Sequence, residues 1–547
     1  MKQRIALISV YNKDGIVEFA KELTALGFSI LSSGGTAKVL KDGGVETTDV
    51  ATLVGGGAIL GHRVVTLSRE IHAGLLAKDN AEDRKELEAL KIPFIDLVCC
   101  DFYPLEEEMK NPSATRESVI EKTDIGGPAM IRSGAKGRRI TVCDSADRKK
   151  VIEWLKAGEP EREEFLNSLA AKAEIIISRY CLLSAKYHSQ GGYRGLLGDR
   201  KMELAYGENA YQTPAYLYKN LNKKDNLPDD PLALHNWHLR AGNPLSYNNI
   251  CDVDRMMQTM THIGAGMEKN LGAVPEIAIG VKHGNACGAG TGEDAVGKML
   301  LGDLRAIFGG SVMLNFPVDE KVAEELISKH SPEGKEGKQR RLLDIVAAPS
   351  FTEEAVEILS RKKGKCRILE NPAIEKAGMP SLDATSRFRY VRGGFLTQPN
   401  YTFLPAIASA TAGVPEIILK DVILAWAVGC TSNSNTITLV KDGRLVGNGV
   451  GQQDRVGAAK LAIFRADEAA RFADPKKEKA DLASAVAYSD SFFPFPDAPQ
   501  ALIDRGIKTI FSTSGSVNDE KIIELCRERG VDLILIPDSE ARGFFQH

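Results

Sequence analysis

Lys282-His283 stands directly after the apolar run Ile277–Val281 and directly before Gly284, Asn285, Ala286, Cys287 and Gly288. A histidine beside a lysine at a strand end, running into a glycine loop, suits a general base held next to a cation. A buried histidine with both ring nitrogens satisfied reads the same residues without chemistry. Cys287 lacks the spaced cysteines and the His-x-Glu that a zinc deaminase needs, so no catalytic metal is expected.

A second group lies near the N-terminus. Ser32-Ser33-Gly34-Gly35-Thr36 follows one strand candidate and opens a helical stretch. Glycines there let backbone N–H groups approach an oxyanion, the hydroxyls add donors, and a helix N-terminus favours negative charge. Ser9 and Lys13, at the end of the preceding strand, converge on the same place. No Gly-Lys-Ser follows, so this is not a P-loop, and a plain strand-to-helix turn is the alternative. Tyr103, Asp124 and Lys136 come later. Gathered at the ends of parallel strands, such a trio can move a proton and hold an oxyanion. Surface salt bridging accounts for the spacing equally well.

Phe308-Gly309-Gly310, Gly393-Gly394 and Gly451-Gln452-Gln453-Asp454-Arg455 read as turns, the last placing Arg455 where it can hold an acidic ligand. Phe492, Phe493 and Phe495 cluster in a chain that is only 6% aromatic, either as core or as a stacking wall for a planar ring.

The elements that must position these residues are α/β in texture. Ile5–Val10, Phe28–Leu31, Phe94–Cys99 and Ile140–Cys143 read as strands alternating with helices, which implies a parallel sheet covered on both faces. Asp147–Arg179 reads as helix with a break at Gly158-Glu159-Pro160. Glycines near residues 192–200 and the polar segment Asn220–Pro231 mark a boundary, giving domains 1–195 and 196–547. Beyond it, Ile277–Val281, Val422–Ala427, Thr436–Val440 and Thr509–Ser512 read as buried strands, and Lys329–Gln339 as a loop. No short-period repeat is visible.

The 547 residues are 43% apolar and 26% charged, and 70 Lys and Arg against 73 Asp and Glu leave a formal charge of −3. A chain-wide basic field is excluded, so nucleic acid is not expected as the main ligand. The basic runs Lys338–Arg341 and Arg361–Lys365 read as solvated surface. No apolar run approaches the ~18 residues of a membrane span. The stretch Ile5–Val10 ends too early for a signal peptide. Nine scattered cysteines without a Cys-x-x-Cys pair suggest reduced thiols and a cytoplasmic protein.

In order along the chain, these motifs resemble the bifunctional AICAR transformylase/IMP cyclohydrolase family of purine biosynthesis. Ser9–Lys13, Ser32–Thr36, Tyr103-Pro104, Asp124–Gly127 and Lys136 are similar to its cyclohydrolase domain. Tyr206–Asn209, Ser246–Asn249, Lys282-His283, Phe308–Gly310, Asp344, Asn435, Gly451–Arg455 and Phe492–Phe495 are similar to its transformylase domain. The resemblance implies a methylglyoxal-synthase-like α/β domain followed by two cytidine-deaminase-like subdomains, divided near residue 370, in a homodimer. It implies AICAR, formyl-AICAR, IMP and folate as ligands, with 10-formyltetrahydrofolate as co-substrate. By resemblance His283 is the base, Lys282 its cation and Asn435 the holder of the formyl oxygen. Asp344 meets the pterin, Phe492 packs on a ring, Arg455 meets the nucleotide, and Tyr206 and Gly309 line the site. In the N-terminal domain Lys136 and Tyr103 stabilise an oxyanion and Asp124 handles a proton. Ser9, Lys13 and Ser32–Thr36 bind the 5′-phosphate.

The chain departs from that pattern at four places. Val65 stands where a cyclohydrolase lysine is implied, Ala205 where a phosphate-binding arginine is, and Tyr211 where a histidine is. The terminal histidine, His547, is kept, and its arginine, Arg542, is shifted by one. Three readings follow: a full bifunctional enzyme, a transformylase whose N-terminal domain only binds, or a non-catalytic nucleotide sensor.

Overall fold

The computed structural model describes residues 3–61, 63–221, 229–331, 333–334, 337–407 and 415–545. His547, most of Asn220–Pro231 and part of Lys329–Gln339 lie outside them. By their contacts the residues divide into two units, Met1–Asp199 with Asn220–Leu227, and Arg200–Lys219 with Pro228–His547.

In the first unit, five parallel strands form one sheet in the order Thr47–Asp49, Phe28–Ser32, Arg4–Ser9, Leu97–Cys100, Ile140–Val142. Thr47–Asp49 is an edge strand of three residues with polar side chains, which is why no apolar pattern announces it. Helix Ile16–Ala25 buries Ile16, Phe19, Ala20 and Leu23, the i, i+3, i+4, i+7 stripe of an amphipathic helix laid on a sheet. The charged helical region breaks as expected, into Asp147–Lys156 and Arg162–His188. The chain winds outward from Arg4–Ser9 in one direction and then returns to add Leu97–Cys100 on the other side. The crevice beyond the carboxyl ends of these two strands is where such sheets bind ligands.

The second unit carries an eleven-stranded mixed sheet that contains the same motif twice. Helix Tyr247–Leu271 leads into the hairpin Ile277–Lys282/Asn285–Thr291, then strands Ser311–Leu314, Ile345–Ala348 and Arg367–Glu370. Helix Glu416–Cys430 leads into the hairpin Ile437–Lys441/Arg444–Gly449, then strands Val486–Ser489, Thr509–Ser514 and Asp532–Pro537. Within each half the strands stack in the same order, with the second hairpin strand at the inner edge. There the two inner strands pair antiparallel, Gly290 opposite Arg444. The two long helices pack on each other, and Gly266 has the side chains of Ile423 and Trp426 where a Cβ would stand.

Two expectations are corrected here. Val422–Ala427 is the centre of helix Glu416–Cys430, not a strand. Every residue from Asp421 to Cys430 is buried, and from Val422 onward the helix is apolar on all sides and shows no period by which to tell it from a strand. The glycine-rich stretch after His283 is strand Asn285–Thr291 rather than a loop. A Cβ on Gly288 would meet Met299 O at 2.1 Å, so glycine lets the following helix lie flat on the strand.

Candidate functional site

At the switch point of the first sheet, the loops after Arg4–Ser9 and Leu97–Cys100 are tied together. The Asp101 carboxylate accepts from the backbone N–H of Tyr11 and of Asn12, the latter at 3.1 Å. Ser9 ends its strand. Lys13 Nζ donates to the carbonyls of Val10 and, at 3.2 Å, Tyr11, and burial draws its pKa down despite Asp101 nearby.

Ser32 and Thr36 already have partners. Ser32 Oγ donates to Ile8 O at 2.7 Å, and Thr36 Oγ1 donates to Val10 O at 3.0 Å while accepting from Val10 N at 3.2 Å. These two hydroxyls stitch the strand ends. Ser33 and the exposed Gly34 and Gly35 are left to open helix Gly34–Asp42, with Gly34 at φ +53°. The donors offered to an anion are therefore backbone N–H groups and the Ser33 hydroxyl.

Asp124 Oδ1 accepts from Gly127 N at 2.9 Å at the start of helix Gly126–Lys136, and its own N–H donates to Tyr180 Oη at 2.7 Å. Burial raises its pKa above the usual carboxylate range, with the neighbouring N–H groups opposing. Tyr103 is also raised by burial, and then by Asp124. Its ring meets Tyr11 edge-on, centroids 5.6 Å apart.

Lys136 does not join this group. It is exposed at the far end of the same helix, ten residues beyond Gly126 and so about 15 Å along the axis at ~1.5 Å per residue. A cation that does lie near both rings is Lys122, whose Nζ is 5.9 Å from the Tyr103 ring and 6.0 Å from the Tyr11 ring. The sequence reading missed it, although it stands two residues before Asp124. Val65 packs half-buried against the apolar cluster containing Leu7 and Ile71. Arg63 is engaged with Glu121 at 2.9 Å and Arg69 with Glu70 at 3.3 Å, both on the surface.

In the second unit His283 and Gly284 form the two-residue turn between paired Lys282 and Asn285. Both have positive φ, +52° and +70°, the combination of a type I′ hairpin turn, which glycine adopts freely and histidine seldom. His283 thus sits at a hairpin tip. Lys282 Nζ donates to Phe308 O at 2.9 Å, in the turn where Gly309 N donates to Leu342 O at 2.6 Å. Burial pushes the Cys287 thiol up to about 12, an inert side chain. Across the seam of the repeat, Asn433 N donates to Asn285 Oδ1 at 3.4 Å. The segment that follows presents Asn435, whose Nδ2 donates to Gln452 O at 2.9 Å. Phe545 N donates to Ser432 O at 3.0 Å, and the Phe545 ring lies between the guanidinium groups of Arg255 and Arg387 at 3.8 and 3.5 Å.

A cavity of about 450 Å³ is lined by Asn435, Arg455, Phe492, Phe495, Arg542 and Phe544 among others. Arg455 is committed to the protein: Nε donates to Phe492 O at 3.0 Å and Nη1 pairs with the fully buried Asp490. Arg542, half-exposed and paired with Asp538 at 2.5 Å, offers the more open guanidinium. Asp344 holds Arg367 at 2.7 Å on one oxygen and Asn249 Nδ2 at 2.8 Å on the other. Tyr206 O accepts from Tyr247 N at 3.0 Å, beside the start of the helix bearing Asn249. Asp252 on that helix, also missed in the sequence, accepts from Gly284 N at 2.9 Å. Its only sequence signal is its place three residues after Ser246–Asn249.

Among the described residues no group of three or more His, Cys, Asp and Glu side chains is placed to hold a metal ion. No described helix is long and apolar enough to cross a membrane.

Two family models match the chain, one described as an AICARFT/IMPCHase bienzyme over residues 137–465 and one as an MGS-like domain over residues 15–129. Among curated proteins, the bifunctional purine biosynthesis protein PurH of Anoxybacillus flavithermus is 36% identical over 98% of each chain. Those of Lysinibacillus sphaericus, 36% identical over 97% of each, and Bacillus cytotoxicus, 35% over 98% of each, are similar at the same level.

Proposed function

The chain belongs to the AICAR transformylase/IMP cyclohydrolase family, and from that premise we propose how its two units divide the family's two reactions. It is a bifunctional enzyme of purine biosynthesis. The second unit transfers the formyl group of 10-formyltetrahydrofolate to the 5-amino group of AICAR, and the first closes formyl-AICAR to IMP.

The AICAR amine is conjugated to an imidazole carboxamide and is a weak nucleophile. As its nitrogen bonds to the formyl carbon, His283 takes the amine proton, and the bond from that carbon to the folate nitrogen then breaks, the folate nitrogen regaining a proton. Lys282 and Asn435 hold the formyl oxygen as charge builds on it. Arg542, with Arg455 behind it, attracts the nucleotide, and Phe492 packs against a ring. Asp344 retains lone pairs beyond its two protein partners with which to meet the pterin. Tyr206 and Gly309 shape the surrounding wall.

Ring closure needs no further reagent. The carboxamide nitrogen attacks the formyl carbon a few bonds away and water leaves, so positioning supplies much of the rate. Ser33, Gly34 and Gly35 take the 5′-phosphate with Ser9 and Lys13 alongside. Asp124, whose carboxyl burial makes less acidic, moves the proton, and Tyr103 with Lys122 faces the oxyanion.

The observation that carries this reading is the meeting of the Lys282-His283 turn with the Asn435 segment through Asn285 and Asn433. The exposed hairpin Ser386–Val391/Gly394–Pro399, with Tyr390 81% and Leu396 59% accessible, supports a homodimer, and the free cysteines support a cytoplasmic location. The deciding assay supplies AICAR and 10-formyltetrahydrofolate and quantifies formyl-AICAR and IMP separately. Both products should appear in sequence; absence of formyl-AICAR and IMP from a folded protein would overturn the assignment.

A further inference from the structure

We infer that Asp252 is the positioning residue that fixes His283, a role that rests on the assignment of His283 as the base. Asp252 is the sixth residue of helix Tyr247–Leu271. One carboxylate oxygen accepts from Gly284 N at 2.9 Å, inside the turn that carries His283. The other accepts from Ser311 Oγ at 3.3 Å, where strand Ser311–Leu314 begins. That strand follows directly on the Phe308-Gly309-Gly310 turn, whose Phe308 carbonyl holds Lys282 Nζ. A single carboxylate therefore links the turn of the base to the support of its cation.

The repeat supplies an independent instance of the same device. Asp421 is the sixth residue of helix Glu416–Cys430, and its carboxylate accepts from Asp442 N at 2.8 Å and Gly443 N at 2.6 Å. Asp442 and Gly443 form the two-residue turn between paired Lys441 and Arg444, with φ of +54° and +70°. The turns read Lys282-His283-Gly284-Asn285 and Lys441-Asp442-Gly443-Arg444. A helix aspartate that pins an X-Gly turn is thus built twice, and in one copy X is the proposed base. A histidine at positive φ needs such an anchor, because few L side chains rest there unaided.

The test compares Asp252→Ala, Asp252→Asn and Asp252→Glu, with Asp421→Ala as the control in the other half. Asparagine can accept from Gly284 N through its amide oxygen and donate to Ser311 Oγ through its amide nitrogen. Glutamate keeps the charge but displaces it by one methylene. We expect Asp252→Ala and Asp252→Glu to lower kcat for formyl transfer about 10–100-fold, since a displacement of ~1 Å costs that order, with KM for AICAR within about threefold. Asp252→Asn should stay within about fivefold of the parent, and Asp421→Ala should lose thermal stability at unchanged kcat. If Asp252→Ala does not fold, Asp252→Glu decides. Parent-like kcat in folded Asp252→Glu, or Asp252→Asn as slow as Asp252→Glu, overturns the inference. His283→Ala, run alongside, separates the two failures: a parent-like rate there would sink the assignment of the base itself.

Discussion

The backbone N–H of Asn433 reaches Oδ1 of Asn285 at 3.4 Å, so the two halves of the repeat touch between His283 and Asn435. Asn285→Ala removes that acceptor while leaving the hairpin pairing intact. Formyl transfer should fall about tenfold, the scale of one hydrogen bond of ~1.4 kcal/mol, and ring closure of supplied formyl-AICAR should not change. His283→Ala should cost about 10²–10⁴-fold in the same assay at an unaltered melting temperature.

Lys122 is the cation that faces Tyr103 and Tyr11. Lys122→Met should slow conversion of formyl-AICAR to IMP about 10–100-fold, the weight of a charge-assisted contact of ~1.5–3 kcal/mol, and Lys122→Arg should recover part of it. Arg69→Ala, which breaks only a surface pair, should cyclise at the parent rate. The reverse pattern in single-turnover rates would transfer the role to Arg69.

Arg455 and Arg542 border one cavity but should respond differently. Arg455→Ala leaves Asp490 buried and uncompensated, a loss of about 3–5 kcal/mol seen as a lower denaturation midpoint. Arg542→Ala should leave the midpoint nearly unchanged and raise KM for AICAR about tenfold. Equal midpoints for the two variants would show that the Arg455–Asp490 pair contributes little.

The first unit holds its own sheet and apolar clusters. A fragment of residues 1–199 should fold alone, melt cooperatively and close formyl-AICAR without folate. A molten fragment by near-ultraviolet circular dichroism would contradict this.

Burial raises the Asp421 carboxyl to about 6 from an ordinary 3.8. Below pH ~4 it is protonated in both folded and unfolded chains. Between pH ~4 and ~6 the unfolded chain loses the proton first, so stability falls as pH rises, by about 3 kcal/mol in all, and is flat in this respect above pH ~6. Urea midpoints of the parent and Asp421→Asn, compared from pH 4 to 7, should show that slope in the parent alone.

Where an element had one wet face, the residues revealed it. Ile16, Phe19, Ala20 and Leu23 mark a helix by their spacing; Ile277–Val281 has no wet face and is marked instead by its shortness and its bounds, Pro275-Glu276 before it and Lys282-His283-Gly284 after it. Glu416–Cys430 concealed its class because burial on every side erased the period. The site was legible as motifs but not as partners. Nothing in the order of residues says that Ser32 and Thr36 spend their hydroxyls on the neighbouring strand, or that a helix carries Lys136 away from Asp124. Lys122 and Asp252 enter their sites through tertiary packing, which spacing along the chain does not encode.

The duplicated half makes the protein its own reference for what has diverged. Lysine before the turn and glycine within it recur in both copies, so they answer to the hairpin as much as to any reaction. Histidine and asparagine in one copy stand against aspartate and arginine in the other, and there the copies have parted. An ancestor with two equivalent halves would have presented two such tips at opposite ends of one sheet. If His283 is the base, as proposed, one of them has been specialised, and Asp442→His would ask how much of a second reactive end the scaffold still retains.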